Sequence, residues 1–343
     1  MIDSGVRHPT LLVGSFPYRD ARETLTASGP GLAGVAKRLS DGEAQGWTIF
    51  AARTIPGGEG IEPDDDSTQL PNRRIQKYRV KKGTAAAGVR FKPAGYDEIV
   101  AASYAVFCEL RAAGVIAPGT RLQQSLPTPL GVIGQHFQAR DIPLVIDAFQ
   151  AAHFADVERL LERVPHRDLA LQWDVAVEVI SSLEGRDPVF AELYPLERVA
   201  SRVAAAVDLI PAEVEVGIHL CYGNPGGHHI QEPRDLANVV ALANAVAAKV
   251  RRQLNWVHMP VPIDRDDAAY FAPLRDLALD SKTEFYLGLV HLGDGIAGGT
   301  RRIHAAKAAR SDFGIATECG FRYVPVADVP ALLELHRTLG SVE

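Results

Sequence analysis

Three side chains able to bind a soft metal ion occur at two places in the sequence. His219 and Cys221 are separated by one residue in GIHLCYGN, and Cys319 lies in ATECGF. If GIHLCYGN contains the end of a β-strand, the first two side chains project to the same face. One imidazole and two thiolates would suit zinc, whose tetrahedral geometry leaves one further position. The alternative is that two buried cysteines and a core histidine simply pack.

The elements that must position these residues are short β-type runs alternating with longer helix-type segments. Eight strands are predicted, at residues 11–16, 35–39, 121–126, 169–173, 214–220, 255–259, 285–290 and 314–317. Residues 234–252 have apolar side chains at three- and four-residue steps, which predicts a helix with Lys249, Arg251 and Arg252 in its last turn. Eight strand–helix units favour a single (β/α)8 TIM barrel, an α/β fold, with an open doubly wound sheet as the alternative.

Polar residues at the predicted strand ends mark the expected active site, because such barrels place their sites where strands end and loops begin. These residues are Gly14, Ser15 and Phe16, then Asp41, Gly42 and Glu43, then Asp174, His219, Cys221, His258, His291, Glu318 and Cys319. In a closed barrel, Cys319 from the eighth strand can reach the space occupied by His219 and Cys221. We therefore expect one site that combines soft donors with carboxylates.

A long connection follows the second predicted strand. Within residues 44–94, a period-two run at Arg74, Gln76, Tyr78 and Val80 is followed by a glycine-containing turn and by Val89 and Phe91. This pattern predicts a β-hairpin over the barrel mouth. Long ordered connections often serve as lids. The chain, residues 1–343, is then one barrel domain with a lid-like excursion.

Composition narrows the function classes. With 36 basic and 42 acidic side chains the formal net charge is −6, which argues against a nucleic-acid partner held by phosphate contacts. No run of about 18 apolar residues is present, so no transmembrane helix is predicted. The N-terminal sequence lacks a signal-peptide pattern. Three unpatterned cysteines, Cys108, Cys221 and Cys319, do not make a disulfide framework. We expect a soluble, cytoplasmic protein, with a homo-oligomer left open.

Five short segments, in order along the chain, resemble the catalytic half of cobalamin-independent methionine synthase and its relatives. LVGSFPY is similar to the family's GSFP segment, RLSDGE to HGE, LQWD to IQxDE, HLCY to HMCY and TECGF to PDCG. Each lies at the expected strand end, and the resemblance covers residues 11–322. It implies a barrel with a zinc ion that activates a thiol for alkyl transfer.

The resemblance also implies roles for particular residues. The residues that match the family's zinc ligands are His219, Cys221 and Cys319. Those that match residues holding the amino-acid part of the thiol substrate are Ser15, Glu43 and Asp174. Ser15, with the amide of the turn at Gly14, would bind the substrate carboxylate, and the two acids would bind its ammonium group.

The sequence departs from the family at three strand ends. The sixth-strand segment NWVHMPVPIDRDD has no glutamate where the family has a zinc ligand. His258 could supply that ligand, or Pro260 could occupy the position and leave a three-ligand site. Asp174 is followed by Val175 in place of a second acid. His291 stands where relatives often have aspartate, and it could donate a proton to the leaving group.

Together these features predict a zinc-dependent enzyme that moves a methyl or larger alkyl group from an alkyl donor to a small-molecule thiol. The thiolate could also open an activated carbon centre such as an epoxide. One alternative is a metal-free decarboxylase or lyase of the uroporphyrinogen-decarboxylase-like barrels. Another is a non-catalytic protein that binds a thiol or a metal.

Overall fold

A curled sheet of parallel strands forms the centre of the computed structural model, which describes residues 5–44 and 46–343. The strands are β1 (Arg38–Ser40), β2 (Ile61–Gln69), β3 (Arg74–Val80), β4 (Arg121–Pro127), β5 (Leu169–Val175), β6 (Glu215–Leu220), β7 (Trp256–Pro260), β8 (Glu284–Gly288) and β9 (Gly314–Ile315). Seven of them form the sheet, in the order β1-β4-β5-β6-β7-β8-β9. Residues 1–4 and 45, which belong to the predicted domain and excursion, lie outside the described residues.

Helices supply the crossovers that parallel strands require. They are α1 (Ala21–Gly31), α2 (Trp47–Ala52), α3 (Tyr96–Ala112), α4 (Pro129–His136), α5 (Ile142–Arg163), α6 (Pro188–Leu193), α7 (Leu196–Asp208), α8 (Ala237–Ala247), α9 (Ala268–Phe271), α10 (Gly295–Lys307) and α11 (Val329–Leu339). A π-helix spans Glu178–Leu183, and 3₁₀ turns lie at Ile55–Gly57, Ala86–Gly88, Ala139–Asp141, His166–Asp168, Pro225–Gly227, Ala272–Asp276 and Val326–Asp328. Among the described helices, none is long and apolar enough to cross a membrane.

Seven of the eight predicted strands are present, and the first is the exception. Thr10 makes isolated parallel bridges to Ala36 and Ile315, so this segment runs between β9 and the residues that lead into β1. Its following carbonyl groups accept hydrogen bonds from side chains: Gln123 Nε2 lies 2.7 Å from Leu12 O, and Gln172 Nε2 lies 2.6 Å from Val13 O. The observed architecture is therefore an α/β half-barrel of seven strands.

The two faces of the sheet bury different residues because side chains alternate along a strand. The outer face packs against the helices in the main core, with Leu122, Leu171, Ile218 and Val257. The inner face holds a second apolar cluster of Leu11, Val13, Ala170, Trp256, Tyr286 and Ala316. Gly217 makes room for the indole of Trp256, since a Cβ at residue 217 would lie 2.0 Å from that ring. This inner cluster forms the floor beneath the strand ends.

The excursion contains an antiparallel hairpin, but not with the predicted partner run. β3 pairs with β2, which precedes it, whereas Val89 and Phe91 lie outside any described strand. The partner was missed because β2 contains Pro63 and three successive aspartates, residues that strands disfavour, and its register is irregular there. At the hairpin turn, Asn72 Nδ2 donates to Tyr323 Oη in the loop after β9. The turn therefore contacts a loop at the carboxyl end of the sheet.

The helix predicted at residues 234–252 is shorter than expected. α8 ends at Ala247, so Lys249, Arg251 and Arg252 are not in its last turn. Arg252 instead donates to the carbonyl groups of Pro211 and Val214, at 2.6 and 2.7 Å, and ties this segment to the loop before β6. Tertiary hydrogen bonds here replace the expected interaction with the helix dipole.

Candidate active site

The structure brings His219, Cys221 and Cys319 together at the carboxyl end of the sheet. Their candidate donor atoms all lie within 4.8 Å of one another. His219 and Cys221 reach this point from the end of β6, and Cys319 reaches it from the loop after β9. A tetrahedral zinc ion, with bonds of about 2.3 Å to sulfur and about 2.0 Å to nitrogen, would hold such donors about 3.6–3.8 Å apart. The donor set fits zinc after a contraction of about 1 Å at most.

The pKa values of the two thiols in the group are shifted in opposite directions. A hydrogen bond from Cys221, helped by the His219 ring, lowers the pKa of Cys319 well below its usual value although burial opposes this. The same contact, together with burial, raises the pKa of Cys221. Cys319 is therefore the thiol that ionises first, and the pair offers one anionic sulfur.

His258 lies against His219 rather than among the three donors. The two residues are directly opposite in the register of β6 and β7, and their Nδ1 atoms are 2.7 Å apart. Burial, followed by the charge of His219, lowers the pKa of His258 well below 6.5, so its ring is neutral. The His219 Nε2 atom is buried and has no hydrogen-bond partner among the residues described. A ligand role for His258 stays a prediction.

Two buried carboxyl groups, Glu43 and Asp174, lie beside the thiols. Burial raises the pKa of Glu43 to about 8, and the nearby charges of Asp41 and Cys319 act in the same direction. Burial and the charge of Glu43 raise the pKa of Asp174. Asp174 Oδ1 accepts a hydrogen bond from Gln172 Nε2 at 2.9 Å. A cation between the two acids would remove their repulsion and favour their ionised forms, which is what an ammonium-binding site requires.

The backbone at Glu43 is strained. Its φ is +48°, and within residues 5–44 and 46–343 it is the one residue other than glycine with positive φ. Such conformations cost about 1–3 kcal/mol and are concentrated at functional sites. The strain is compatible with a carboxyl group that the surrounding structure holds in a required place.

Gly14 and Ser15 close the site on the other side. A Cβ at Gly14 would lie 2.1 Å from Glu43 Oε1, so glycine is needed for the close approach. A Cβ at Gly320 would lie 2.3 Å from Ser15 Oγ, which places the hydroxyl group directly beside the Cys319 loop. Phe321 N donates to Ser15 O and holds the two segments together. Each substrate-binding residue implied by the motifs therefore lies near the three donors.

His291 lies at the edge of the site with Glu318, one of the predicted strand-end residues, and with His229 from the loop after β6. Its Nδ1 atom is 3.7 Å from Glu318 Oε2, and His229 Nε2 is 3.4 Å from Glu318 Oε1. Burial and the charge of Arg302 lower the pKa of His291 to about 4, so the ring is neutral near pH 7. Burial raises the pKa of Glu318 to about 8, so this carboxyl group keeps its proton. In the sequence, the position of Glu318 directly before Cys319, at a predicted strand end, was the signal that it belongs to the site.

A cavity of about 340 Å³ is lined by Glu43, but neither by Asp174 nor by the three candidate donors. Its lining includes Asp41 and Glu43 from the loop after β1, and Ile99 and Val106 from α3. The Asp41 carboxylate accepts a hydrogen bond from the Ser103 hydroxyl at 2.8 Å. The cavity thus reaches the site from the side of Glu43.

Solved structures with the same fold include methionine synthases. A B12-independent methionine synthase from Shewanella sp. W3-18-1, in complex with selenomethionine, aligns with a TM-score of 0.60 and 14% identity over 98% of this chain and 97% of that one. A putative vitamin-B12-independent methionine synthase from Listeria monocytogenes aligns with a TM-score of 0.55 and 14% identity over 93% and 86%. A methyltransferase from Methanosarcina mazei aligns with a TM-score of 0.56 and 12% identity over 98% and 94%.

At these identities the likeness shows a shared fold, and it agrees with the family that the five motifs resemble. No protein-family model matches the chain, and no curated protein matches it in sequence.

Proposed function

We propose that this protein is a zinc-dependent enzyme that transfers a methyl or larger alkyl group to the thiol of a small amino-acid-like substrate. The observation that carries the proposal is the group of three soft donors within 4.8 Å, placed beside a pair of buried carboxyl groups. The fold shared with methionine synthases and a methyltransferase supports it.

His219, Cys221 and Cys319 would hold the zinc ion and leave one position for the substrate sulfur. Bound zinc lowers the pKa of a coordinated thiol, so that a nucleophilic thiolate persists near neutral pH. Two site cysteines that must stay reduced suit a reducing compartment such as the cytoplasm.

The acids and the turn at Ser15 would orient the substrate. Glu43 and Asp174 bind its ammonium group, and Ser15 with the adjacent backbone binds its carboxylate. Each of these groups lies near Cys319, so an amino-acid thiol held in this way brings its sulfur to the donor group. Holding the reactants in this geometry lowers the entropic part of the activation free energy of the transfer reaction.

In the transfer step, the thiolate sulfur forms a bond to the alkyl carbon while the bond from that carbon to the donor's leaving atom breaks. The thiol proton has already been released to solvent. A leaving atom that becomes anionic takes up a proton. The carboxyl group of Glu318, which keeps its proton near neutral pH and whose Oε2 lies 3.7 Å from His291 Nδ1, would supply it. A sulfonium donor leaves as a neutral thioether and needs no proton.

The remaining fold predictions belong to the same proposal. The segment that begins at Thr10, which is bridged to Ala36 and Ile315, would act as the eighth strand that completes the barrel of a single domain. The β2–β3 hairpin would act as the lid, because its turn already contacts Tyr323 in a loop at the carboxyl end of the sheet.

The test combines metal analysis with matched thiols. We expect close to one equivalent of zinc in protein purified without oxygen. Homocysteine should be alkylated by at least one donor from a panel of a sulfonium, a methylated folate and a methylated corrinoid, with the thioether detected by mass spectrometry. 4-Mercaptobutyrate, which lacks only the amino group, should react far more slowly.

Protein with less than a tenth of an equivalent of zinc would overturn the proposal and favour a metal-free lyase. Zinc without turnover of any thiol would favour a non-catalytic carrier.

A further inference from the structure

The imidazole rings of His219 and His258 form a buried pair that the proposed reaction does not require. We propose that His258 is the hydrogen-bond acceptor that fixes the tautomer and orientation of His219, and is not itself a zinc ligand. The inference rests on the zinc site of the proposed function and assigns a positioning role within it.

The distance between the rings excludes joint ligation through the facing atoms. Two nitrogens bound to one tetrahedral zinc at about 2.0–2.1 Å are separated by about 3.3 Å. The two Nδ1 atoms are only 2.7 Å apart, which is a hydrogen-bond distance. His258 is also not a member of the group whose donor atoms lie within 4.8 Å.

The proton between the rings decides which nitrogen of His219 is free for a metal. If His219 Nδ1 carries the proton and donates it, the lone pair on Nε2 is available. His219 Nε2 is buried and has no hydrogen-bond partner within the described part of the chain; the same holds for His258 Nε2, but only His219 belongs to the three-donor group. With the opposite tautomer, His219 would present an N–H at Nε2 and could not bind a metal there. A metal-ligating histidine almost always donates its other ring N–H to an acceptor, and here the neutral His258 ring offers one.

His258 is flanked by two further parts of the site. Trp256 lies two residues before His258, on the same face of β7. Its indole packs over Gly217 of β6, the residue opposite it in the strand register. On its other side, His258 lies near the backbone of Thr317, although its buried Nε2 has no hydrogen-bond partner among the described residues. The Thr317 hydroxyl donates to Cys319 O at 2.6 Å. His258 therefore connects the β6 ligand to the segment that carries Cys319.

Two amide variants separate this role from ligation and from general polarity. In His258→Asn, the Oδ1 atom takes the place of the Nδ1 acceptor. In His258→Gln, the acceptor is moved one bond further from the backbone. We expect zinc affinity, measured by chelator competition, to fall about 10- to 100-fold in His258→Gln and to stay within about threefold of wild type in His258→Asn. The ¹⁵N shifts of His219 should show a protonated Nδ1 in the wild type and in His258→Asn.

The outcomes are distinct. Equal zinc affinity in the wild type and His258→Gln would overturn the inference while leaving the zinc site intact. Equal, large losses in both amide variants would make His258 a ligand instead. A wild type that binds no zinc would overturn the proposed function, and the ¹⁵N spectra of the metal-free protein would still report whether His219 Nδ1 carries the proton. Circular dichroism and thermal melting identify a variant that fails to fold.

Discussion

Gly14 approaches Glu43 so closely that any side chain at residue 14 would displace the carboxyl group, since a Cβ there would lie 2.1 Å from Oε1. We therefore predict that Gly14→Ala moves Glu43 away from Asp174 and weakens binding of the substrate ammonium. The KM for an amino-acid thiol should rise at least tenfold, with zinc content unchanged, as steady-state kinetics and metal analysis would show.

Gly57→Ala is the matched control for this substitution. Gly57 has ordinary φ, and an added Cβ would meet nothing within 4 Å. Its variant should match the wild type in KM. If Gly14→Ala also kept the wild-type KM, the approach of Gly14 to Glu43 would have no part in substrate binding.

Replacing either site cysteine should release zinc. Cys221→Ser and Cys319→Ser each leave only one thiolate in the group, and serine is a poor ligand for zinc. We expect zinc content to fall from near one equivalent to below about a tenth after dialysis against a weak chelator, measured by mass spectrometry of the metal.

Cys108→Ser provides the cysteine control. Cys108 is partly buried on α3 and is not a member of the three-donor group. It should retain wild-type zinc. Full retention of zinc in Cys319→Ser would instead remove that residue from the site.

The acid pair should select thiols that carry an amino group. Glu43→Gln removes one of the two carboxyl groups that would bind the ammonium. We expect its kcat/KM for homocysteine to fall by about 100-fold, since a charged hydrogen bond in a buried site contributes about 1.5–3 kcal/mol. The slow reaction of 4-mercaptobutyrate should change little, so the ratio of the two rates reports the contact. A parallel fall for both thiols would indicate a structural defect.

The pair of His291 and Glu318 should matter only for donors whose leaving atom needs a proton. Because Nδ1 of the one lies 3.7 Å from Oε2 of the other, His291→Ala should slow transfer from a methylated folate by 10²- to 10⁴-fold. Transfer from a sulfonium, measured in single-turnover reactions, should be within a fewfold of wild type. Unchanged turnover with the folate would exclude His291 from the proton transfer.

Acid stability should depend on Glu284 at the amino end of the sheet. Although burial opposes it, the charge of Arg38 lowers the pKa of Glu284 from its ordinary 4.5 to about 2, with Lys37 in support. Arg38 itself is buried, and its Nη1 lies 2.9 Å from Glu284 Oε2. A group with a depressed pKa stabilises the fold above its unfolded pKa, and the effect is lost as the pH falls towards the folded value. The contribution at pH 7 is about 3 kcal/mol.

Glu284→Gln should therefore lose about 3 kcal/mol of unfolding free energy at pH 7, and the difference from wild type should disappear between about pH 4.5 and 2. Urea denaturation at several pH values measures this. Glu162, an exposed residue of α5, gives the matched Glu→Gln control, with no pH-dependent difference expected. A difference that stayed constant down to pH 2 would contradict the assigned ion pair.

Much of the site could be predicted from sequence because period-two alternation and strand ends are local signals. His219 and Cys221 lie two residues apart, and the rule that parallel strands end on one edge brought Cys319 to them. Asp174 and Glu43 followed from the same rule.

What could not be predicted depends on side chains that meet across long sequence distances. The ring contact between His219 and His258 is set by rotamers and by the strand register. The first predicted strand forms only isolated bridges at Thr10, and the carbonyl groups that follow accept hydrogen bonds from Gln123 and Gln172, more than 100 residues away. The hairpin partner of β3 carries turn-type residues that conceal a strand.

The amide of Gln172 binds at the same time to Val13 O, Asp174 Oδ1 and Trp256 Nε1, at 2.6, 2.9 and 3.2 Å. The Gln172 side chain therefore helps to position three groups: the backbone that leads into the turn at Ser15, the carboxyl group of Asp174, and the indole of Trp256. A substitution at Gln172 would shift these three features together, so a change in the proposed substrate pocket made through this residue would also reach the proposed metal site.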